Sequence, residues 1–320
     1  MTGILRLRHV EGELARASRL PMRVRQGPDG VHLFDRQSGL NVLLDEVEVP
    51  QVAWAQAPRQ VSVALTNACD LDCPFCYAPK TASVLDAGRL RSWLDELDAG
   101  GCLGVGFGGG EPTLYRRLPQ ICRHAAERTG LAVTMTTHAH RWTPRLVDVL
   151  AGTVHFVRVS VDGVGATYET LRGRPFAELR DRIGLIAATF RVGVNCVVNA
   201  ATLPELDAVA DLAADAGAAE LLLLLERPAR GRSGGGPDVA EDLHAWIRAY
   251  RGTVRLALGE GDTGGLPIAV PLPGERGLRS YAHLDAAGTL RRTSYDSDGE
   301  PVDGRGLLAA LDRLQQKEAA

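Results

Sequence analysis

The sequence lacks several features that would assign a protein to a broad class at once. It has no long hydrophobic run, because the longest apolar stretch, Leu221–Leu225, is far too short to span a bilayer. Its first residues never reach the apolar core of a signal peptide. With 36 basic and 39 acidic residues the net charge is only -3, so no overall field attracts nucleic acid or anionic lipid. We therefore expect a cytoplasmic protein without membrane or nucleic-acid partners.

Cysteine is also scarce, and it is unevenly placed. The chain has six cysteines in 320 residues, and three of them, Cys69, Cys73 and Cys76, lie within eight residues. A disulfide framework is unusual in so large a chain, whereas three closely spaced thiols are typical of a metal site.

The pattern of the main part predicts an α/β protein. From about Val61, short strands alternate with longer helical stretches, as in repeated βα units around a parallel sheet. The predicted strands are 61–66, 103–107, 132–137, 155–161, 191–199 and 220–225. The predicted helices are 87–97, 118–128, 144–150, 176–188 and 203–216. Six such units make a partial (β/α)6 TIM-type barrel.

Two smaller parts flank this barrel. Residues 1–57 predict a short helical segment and then a three-strand meander, which is a small N-terminal β element. Residues 58–252 are assigned to the barrel, and the glycine-rich loop 230–237 is a candidate lid. Residues 253–320 predict strands near 254–258, 281–284 and 290–294 and a helix near 306–316, which together form a C-terminal α+β cap.

The cysteine loop directly follows the first barrel strand and offers three thiolates with no fourth ligand nearby. Structural zinc sites take four ligands, and ferredoxin spacings also supply four cysteines. The pattern therefore predicts an iron–sulfur cubane with one open iron. A zinc site completed by a distant histidine is the alternative.

The spacing Cys69-x-x-x-Cys73-x-x-Cys76, with Phe75 before the last cysteine, resembles the signature of the radical S-adenosylmethionine (SAM) superfamily. The resemblance implies one [4Fe-4S] cluster whose open iron is chelated by SAM. It also implies that an electron from the cluster cleaves SAM to a 5′-deoxyadenosyl radical, which abstracts hydrogen from a substrate. Phe75 and Tyr77 flank Cys76 and are expected at the same cofactor site.

The second strand runs into Gly109-Gly110-Glu111, where glycines let the backbone approach a ligand closely. A simple tight turn is the alternative. The position resembles the family's GGE motif, which implies that these residues bind the methionine amino group of SAM.

On the fourth strand, alternation places Arg158, Ser160 and Asp162 on one face, which should line the barrel. The resemblance implies that Ser160 and Asp162 hold the SAM ribose. Arg158 needs a partner. The candidates are a carboxylate of SAM, of Glu111 or of a substrate, and a purely structural salt bridge is the alternative.

On the fifth strand, Asn195 and Asn199 share a face, and the resemblance implies that Asn199, at the strand end, contacts SAM. Cys196 faces the other way, toward the helices. We interpret Cys196 as a small buried hydrophobic residue and not as a hydrogen-atom donor.

Two further groups are substrate candidates. His138 follows the third strand, with His140 close behind; either could contact substrate or transfer protons, but we favour solvent-facing loop histidines. Glu226 and Arg227 end the sixth strand, where substrate or adenine contacts would lie. The arginines that follow, Arg230 and Arg232, form a cationic rim that indicates an anionic substrate or is simply solvated.

Relatives that modify peptides often carry extra cysteines after the barrel for auxiliary clusters, and this chain has none there. The segment from Tyr281 to Tyr295 resembles such an extension, with Ser280 and Ser294 where cysteines would be expected. One cluster is therefore predicted. Without a second internal electron acceptor, a redox-neutral reaction or an external acceptor is favoured over internally relayed oxidation.

The sequence thus predicts a radical SAM enzyme that acts on a ribosomal peptide precursor and receives electrons from a flavodoxin-type or ferredoxin-type donor. The first alternative is the same chemistry on a small natural-product intermediate, such as the epimerisation or dehydration of a sugar or aminocyclitol. A non-catalytic iron–sulfur scaffold is the third hypothesis. It gives no reason to retain Glu111, Ser160 and Asp162 together.

Overall fold

The computed structural model describes residues 4–6, 22–229, 233–259, 262–266 and 272–319. The helical segment predicted ahead of Met22 lies outside these residues, apart from Ile4–Arg6, which form a strand. Arg230 and Arg232 also lie outside them, so neither the lid nor the cationic rim is described at those positions.

The strands build two sheets. Their bounds are β1 (Ile4–Arg6), β2 (Arg23–Gly27), β3 (Gly30–Phe34), β4 (Asn41–Leu44), β5 (Gln60–Thr66), β6 (Gly104–Gly109), β7 (Ala132–Thr137), β8 (Phe156–Ser160), β9 (Val192–Val198), β10 (Leu221–Leu225), β11 (Leu256–Leu258), β12 (Tyr281–Leu284), β13 (Thr289–Arg291) and β14 (Glu300–Pro301). The large sheet has the order β11-β10-β9-β8-β7-β6-β5-β12-β13-β14.

The six predicted barrel strands are confirmed as β5 to β10, and each pairs in parallel with the next. Strand β8 shows why the alternation predicted the inner face correctly. Val157 and Val159 are fully buried in the core beneath the helices, whereas Arg158 and Ser160 line the interior cavity described below. The parallel strands thus bring all their carboxyl ends to one edge, where the site lies.

The helices connect these strands. Their bounds are α1 (Ala87–Ala99), α2 (Leu118–Arg128), α3 (Pro144–Leu150), α4 (Gly165–Arg172), α5 (Phe176–Ala187), α6 (Leu206–Asp215), α7 (Gly236–Ala249) and α8 (Leu307–Ala319). Helices α4 and α7 were not predicted. Helix α4 is short and buries only Tyr168, so it has almost no apolar periodicity, and it ends at Gly173 with a φ of 66°.

The C-terminal strands do not form a separate layer. Strand β11 pairs in parallel with β10 at one edge of the large sheet, and β12 pairs in parallel with β5 at the other. Strands β13 and β14 continue from β12 in antiparallel fashion. The predicted cap therefore extends the barrel sheet on both sides, and side chains of β12 share the inner face of β5.

The predicted N-terminal meander is present as β2, β3 and β4, with β1 parallel to β4. Arg25 anchors it to the rest of the molecule, since its buried guanidinium donates to Glu275 Oε1 at 2.7 Å and to the carbonyl of Gly101 at 2.9 Å. None of the described helices combines the length and the apolar character needed to cross a bilayer.

Candidate active site

A cavity of about 900 Å³ runs along the inner face of the large sheet. Its volume lies in the range of small-molecule and cofactor sites. The sequence-predicted site residues that line it are Cys69, Cys73, Phe75, Cys76, Tyr77, Gly109, Gly110, Glu111, His138, Arg158, Ser160, Asp162 and Arg227. Asn199 and Glu226 do not line it.

The cysteine loop connects β5 to α1, and none of its three cysteines forms a disulfide within the described residues. Cys73 is buried, and Cys69 and Cys76 are partly exposed. The loop is held by local hydrogen bonds: Cys76 N donates to the Cys73 carbonyl at 3.2 Å, and Leu71 N donates to Cys69 Sγ at 3.4 Å. Phe75 is buried in a small apolar cluster with Leu71 and Cys73. All three thiols therefore border one cavity on a structured loop.

The donor set suits an iron–sulfur cluster better than a zinc ion. Within the described part of the chain, the side chains close enough to share one ion, with ligand atoms within 4.8 Å, are Cys69, Asp70 and His138. That group uses one cysteine of the three and does not gather the thiols around a histidine. An iron–sulfur cluster, by contrast, is held by several cysteine thiolates.

The glycines of the second motif shape the loop as much as they admit a ligand. Gly109 has a φ of 115°, and a Cβ there would overlap the carbonyl oxygen of Thr66. Gly110 N donates to the Thr66 carbonyl at 2.7 Å, and Glu111 N donates to the Ala68 carbonyl at 2.8 Å. A Cβ on Gly108, by contrast, would meet nothing within 4 Å. Gly109 and Gly110 thus pin the start of the cysteine loop.

Glu111 presents a fixed carboxylate to the cavity, and only 1% of its surface is exposed. Oε1 accepts from Thr113 N at 3.1 Å, from Thr113 Oγ1 at 2.7 Å and from Thr137 Oγ1 at 2.8 Å. Oε2 accepts from His138 N at 3.0 Å and can accept another donor. The arrangement suits a carboxylate that binds an ammonium group of a ligand.

The favoured prediction of solvent-facing histidines is wrong. His138 is buried, and its Nε2 lies 2.9 Å from Asp70 Oδ1, on the cysteine loop. His140 bonds through Nε2 to the hydroxyl of Tyr168 at 2.9 Å, and burial lowers its pKa to about 4. His138 therefore lines the cavity and braces the loop, whereas His140 packs behind it.

Asp162 is fully buried, and its partner Arg172 was missed from the sequence. Oδ1 accepts from Val197 N at 2.6 Å, and Oδ2 accepts from Arg172 Nε at 2.5 Å. Arg172 Nη1 also lies 3.4 Å from Cys73 Sγ, and the guanidinium carbon lies 5.4 Å from the Phe75 ring centroid. Burial alone would lower the pKa of Arg172, but Asp162 raises it above its usual value. One ion pair thus links the end of β8 to the cysteine loop.

The partner of Arg158 in the structure is a protein carboxylate, as in the structural salt bridge offered as the alternative. Its Nη2 forms an ion pair with Glu220, which also pairs with Arg255. Burial alone would raise the pKa of Glu220, but Arg158 and Arg255 bring it below its usual value. Within the described residues, Arg158 Nε is buried without a hydrogen-bond partner, and the side chain lines the cavity.

The structure places Asn199 away from the cavity. Asn199 Nδ2 donates to Glu226 Oε2 at 2.8 Å, and Oδ1 accepts from Ala201 N at 2.9 Å and from Thr202 N at 3.1 Å. Strand β9 ends at Val198, so Asn199 already belongs to the following turn. Asn195, four residues earlier, lines the cavity instead, and its buried Oδ1 has no hydrogen-bond partner among the described residues.

Of the two predicted residues at the end of the sixth strand, one likewise lines the cavity and the other does not. Glu226 is buried against Asn199, whereas Arg227 lines the cavity and pairs with Asp262. Asp262 was not predicted as a site residue, and it comes from the segment after β11.

These features define a class: a parallel partial barrel with a three-cysteine loop after one strand and a Gly-Gly-Glu motif after the next, both facing one cofactor-sized cavity. Comparison with protein families gives the same answer, because residues 63–216 match the family described as the Radical SAM superfamily. Residues 63–216 therefore form a radical SAM domain, as the cysteine signature predicted. The family binds SAM and an iron–sulfur cluster.

Individual relatives are similar over part of their length. The "AdoMet-dependent heme synthase" of Methanosarcina barkeri is 32% identical over 176 residues, which are 52% of this chain and 50% of that protein. The "Sporulation killing factor maturation protein SkfB" of Bacillus subtilis is 29% identical over 169 residues, 50% of this chain and 41% of that protein. The chain thus matches about half of these relatives' length.

Among solved structures, Streptococcus suis SuiB bound to its precursor peptide SuiA superposes with a TM-score of 0.73. The match covers 94% of this chain and 89% of that one at 13% sequence identity. This likeness confirms the predicted partial-barrel fold.

Proposed function

We propose that the protein is a radical SAM enzyme that holds one [4Fe-4S] cluster on Cys69, Cys73 and Cys76 and binds SAM in the 900 Å³ cavity. The observation that carries the proposal is that the three cysteine side chains and the fixed Glu111 carboxylate line one cavity. A protein that needed only a structural metal would not require that carboxylate.

When bound, the cluster and SAM supply a carbon-centred radical that abstracts hydrogen from a substrate. The residues of the chain bind and orient. Glu111 Oε2 would accept from the ammonium group of SAM, and Gly108, where a Cβ would meet nothing within 4 Å, leaves room for its approach. Ser160 offers a hydroxyl to SAM. Asp162, predicted to hold the ribose, has both oxygens engaged by Arg172 and Val197, so we assign it first to positioning the loop that carries Cys73.

For the substrate we propose a ribosomal peptide precursor. SkfB is named for maturing the sporulation killing factor, and SuiB is seen bound to a precursor peptide. The electron donor is proposed to be a flavodoxin or ferredoxin.

The same chemistry on a small natural-product intermediate is the second candidate. The volume of the cavity favours it, since about 900 Å³ is within the range of sites that enclose a single small ligand. The heme synthase relative, moreover, is named for a product that is not a peptide.

The test of the chemistry is anaerobic. The purified full chain is reconstituted with iron and sulfide and given SAM and dithionite, and 5′-deoxyadenosine is measured by mass spectrometry. We expect cluster-dependent 5′-deoxyadenosine, which Cys73→Ala abolishes.

The matched control is Cys122→Ala, which removes a thiol that is fully buried on α2, away from the cavity. It should keep both the cluster and SAM cleavage. A stable wild-type cluster that never cleaves SAM, even with candidate peptides, would favour the scaffold hypothesis instead.

A further inference from the structure

Three polar side chains from β5 and β12 form a hydrogen-bonded chain on the cavity wall. Ser62 Oγ lies 2.6 Å from the hydroxyl of Tyr281 and 2.6 Å from Nδ1 of His283. All three residues line the 900 Å³ cavity. The pairing of β12 with β5 sets this contact, because it places His283 directly opposite Ser62 and Tyr281 opposite Gln60.

The chemistry of these groups allows the three hydrogen-bonded side chains to relay a proton. A serine hydroxyl carries one hydrogen, so Ser62 donates to one neighbour and accepts from the other. Burial lowers the pKa of His283 to about 4 and raises the pKa of Tyr281, so both are neutral near pH 7. When His283 Nδ1–H donates to Ser62, and Ser62 donates to Tyr281, the phenolic hydrogen is left to point into the cavity.

His283 also connects the three hydrogen-bonded side chains to a second cavity. It lines a smaller cavity of about 320 Å³, together with Asp285 and Arg291. His283 therefore borders both cavities, and a proton taken up at Nε2 can be matched by one released at Nδ1 to Ser62.

An epimerisation, one of the redox-neutral outcomes considered above, replaces the abstracted hydrogen from a source other than 5′-deoxyadenosine, so it needs a hydrogen-atom donor in the cavity. Cys196 is not one, because it is fully buried outside the cavity lining and contacts the carbonyl of Val197. The thiols that line the cavity within the described residues are the three assigned to the cluster. The remaining cavity groups with a weak X–H bond are the phenols of Tyr77, Tyr281 and Tyr295. Of these, Tyr281 is hydrogen-bonded to Ser62, which is in turn hydrogen-bonded to His283.

We propose that Tyr281 donates a hydrogen atom to a carbon-centred radical on the substrate, with Ser62 and His283 as the residues that position and reprotonate it; this role rests on the proposed function. The O–H bond of Tyr281 breaks and a C–H bond forms on the substrate, which leaves a tyrosyl radical. The external donor that reduces the cluster supplies one electron, and Ser62 passes on one proton from His283, which takes up another from solvent. The phenol is thereby restored.

The first experiment needs no substrate. The reconstituted full chain is exchanged into D2O without added thiol and given SAM and dithionite, and the deuterium content of 5′-deoxyadenosine is measured. Phenolic hydrogens exchange with solvent, whereas the O–D bond of water is too strong to be a donor. We expect labelled product from the wild type and loss of most of the label in Tyr281→Phe. The matched control, Tyr295→Phe, should keep the label.

A second readout does not depend on turnover. Long-range ¹H–¹⁵N spectra of the full chain should show a shift of the His283 Nδ1 resonance in Ser62→Ala and in Tyr281→Phe. The resonance is assigned with His283→Gln. A third readout is EPR of the reconstituted chain given SAM and dithionite. Ser62→Ala should accumulate a tyrosyl signal that decays in the wild type, and ring-deuterated tyrosine incorporated into Ser62→Ala should narrow that signal.

The outcomes separate the two proposals. Unlabelled 5′-deoxyadenosine from the wild type, or a label that survives Tyr281→Phe, overturns the role of Tyr281 and leaves the proposed function intact. Absence of 5′-deoxyadenosine in every sample contradicts the proposed function, and the role of Tyr281 falls with it.

Discussion

Two ion pairs lie on strand β8 and just past its end, and they differ in what their arginines and carboxylates contact next. Just past the carboxyl end, Asp162 pairs with Arg172, which reaches Cys73. In the middle of the strand, Arg158 pairs with Glu220, which also pairs with Arg255. Both pairs keep charged groups inside a barrel, where an unpaired charge is costly.

The difference teaches where function is placed on this fold. The first pair couples a strand end to the proposed cluster loop, so a change in it should lower both the free energy of unfolding and the binding of iron. The second lies deeper in the barrel and, within the described residues, has no hydrogen bond to a cysteine, so a change in it should lower stability without affecting the metal site. The following predictions test this division.

The largest effect is expected for Arg172→Met. Removing the guanidinium leaves Asp162 buried without its cation, and breaking a buried pair in this way costs about 3–5 kcal/mol. Chemical denaturation should show a fall in the free energy of unfolding of that order. The iron bound per chain after reconstitution should also fall, because the Cys73 thiolate loses its cationic neighbour.

The matched variant is Arg172→Lys, which keeps the charge but not the planar donors and should retain part of both properties. If Arg172→Met lost stability but bound iron and SAM as the wild type does, this pair would be as purely structural as the pair of Arg158 with Glu220.

A smaller effect is expected for Glu220→Gln. Arg158 and Arg255 lose a charged hydrogen-bond partner, which is worth about 1.5–3 kcal/mol, and the partial exposure of both arginines places the result near the lower figure. The iron content should be unchanged. A loss of iron comparable to that of Arg172→Met would contradict the division between the two pairs.

The same carboxylate predicts a pH dependence. The pKa of Glu220 in the folded state lies below its ordinary value of 4.5. A carboxyl group whose pKa is lowered by folding stabilises the protein above its unfolded pKa, and this stabilisation disappears as the pH falls through the folded pKa. The difference in unfolding free energy between the wild type and Glu220→Gln should therefore be constant near pH 7 and shrink below about pH 4.5. A difference that did not change in acid would show that the charge of Glu220 is not its source.

Much of this architecture could be predicted because it is local in sequence. The alternation of β8 revealed its inner face, and the spacing of the cysteines marked the loop that follows β5. Arg172 could not be found in this way, since α4 is too short to show periodicity and its contact with Asp162 spans a turn. Tyr281 and His283 reach the cavity only because β12 pairs with β5 more than 200 positions away in the sequence, as the register shows.

The misplacement of His138 and Asn199 has the same origin. A histidine after a strand looks exposed until Asp70, from a different loop, is seen to accept its hydrogen bond. An asparagine at a strand end looks like a ligand contact until the strand is seen to end one residue earlier, at Val198.

The smallest expected effect compares the two asparagines of this region. Asn199→Ala removes the hydrogen bonds that hold the turn and Glu226, so it should lower the free energy of unfolding by about 1 kcal/mol or more and leave SAM affinity unchanged. Asn195→Ala removes an amide that is unpartnered in the described structure and faces the cavity. Its loss breaks no hydrogen bond of Oδ1 in the described structure, so it should change stability less than Asn199→Ala does, and it should weaken SAM binding by roughly 2-fold to 10-fold, the equivalent of one hydrogen bond. Calorimetric titration of the reconstituted variants with SAM measures the affinity, and chemical denaturation measures the free energy of unfolding.

If Asn199→Ala weakened SAM binding more than Asn195→Ala did, the assignment from the family resemblance would be right, and the turn after β9 would have to open when SAM binds.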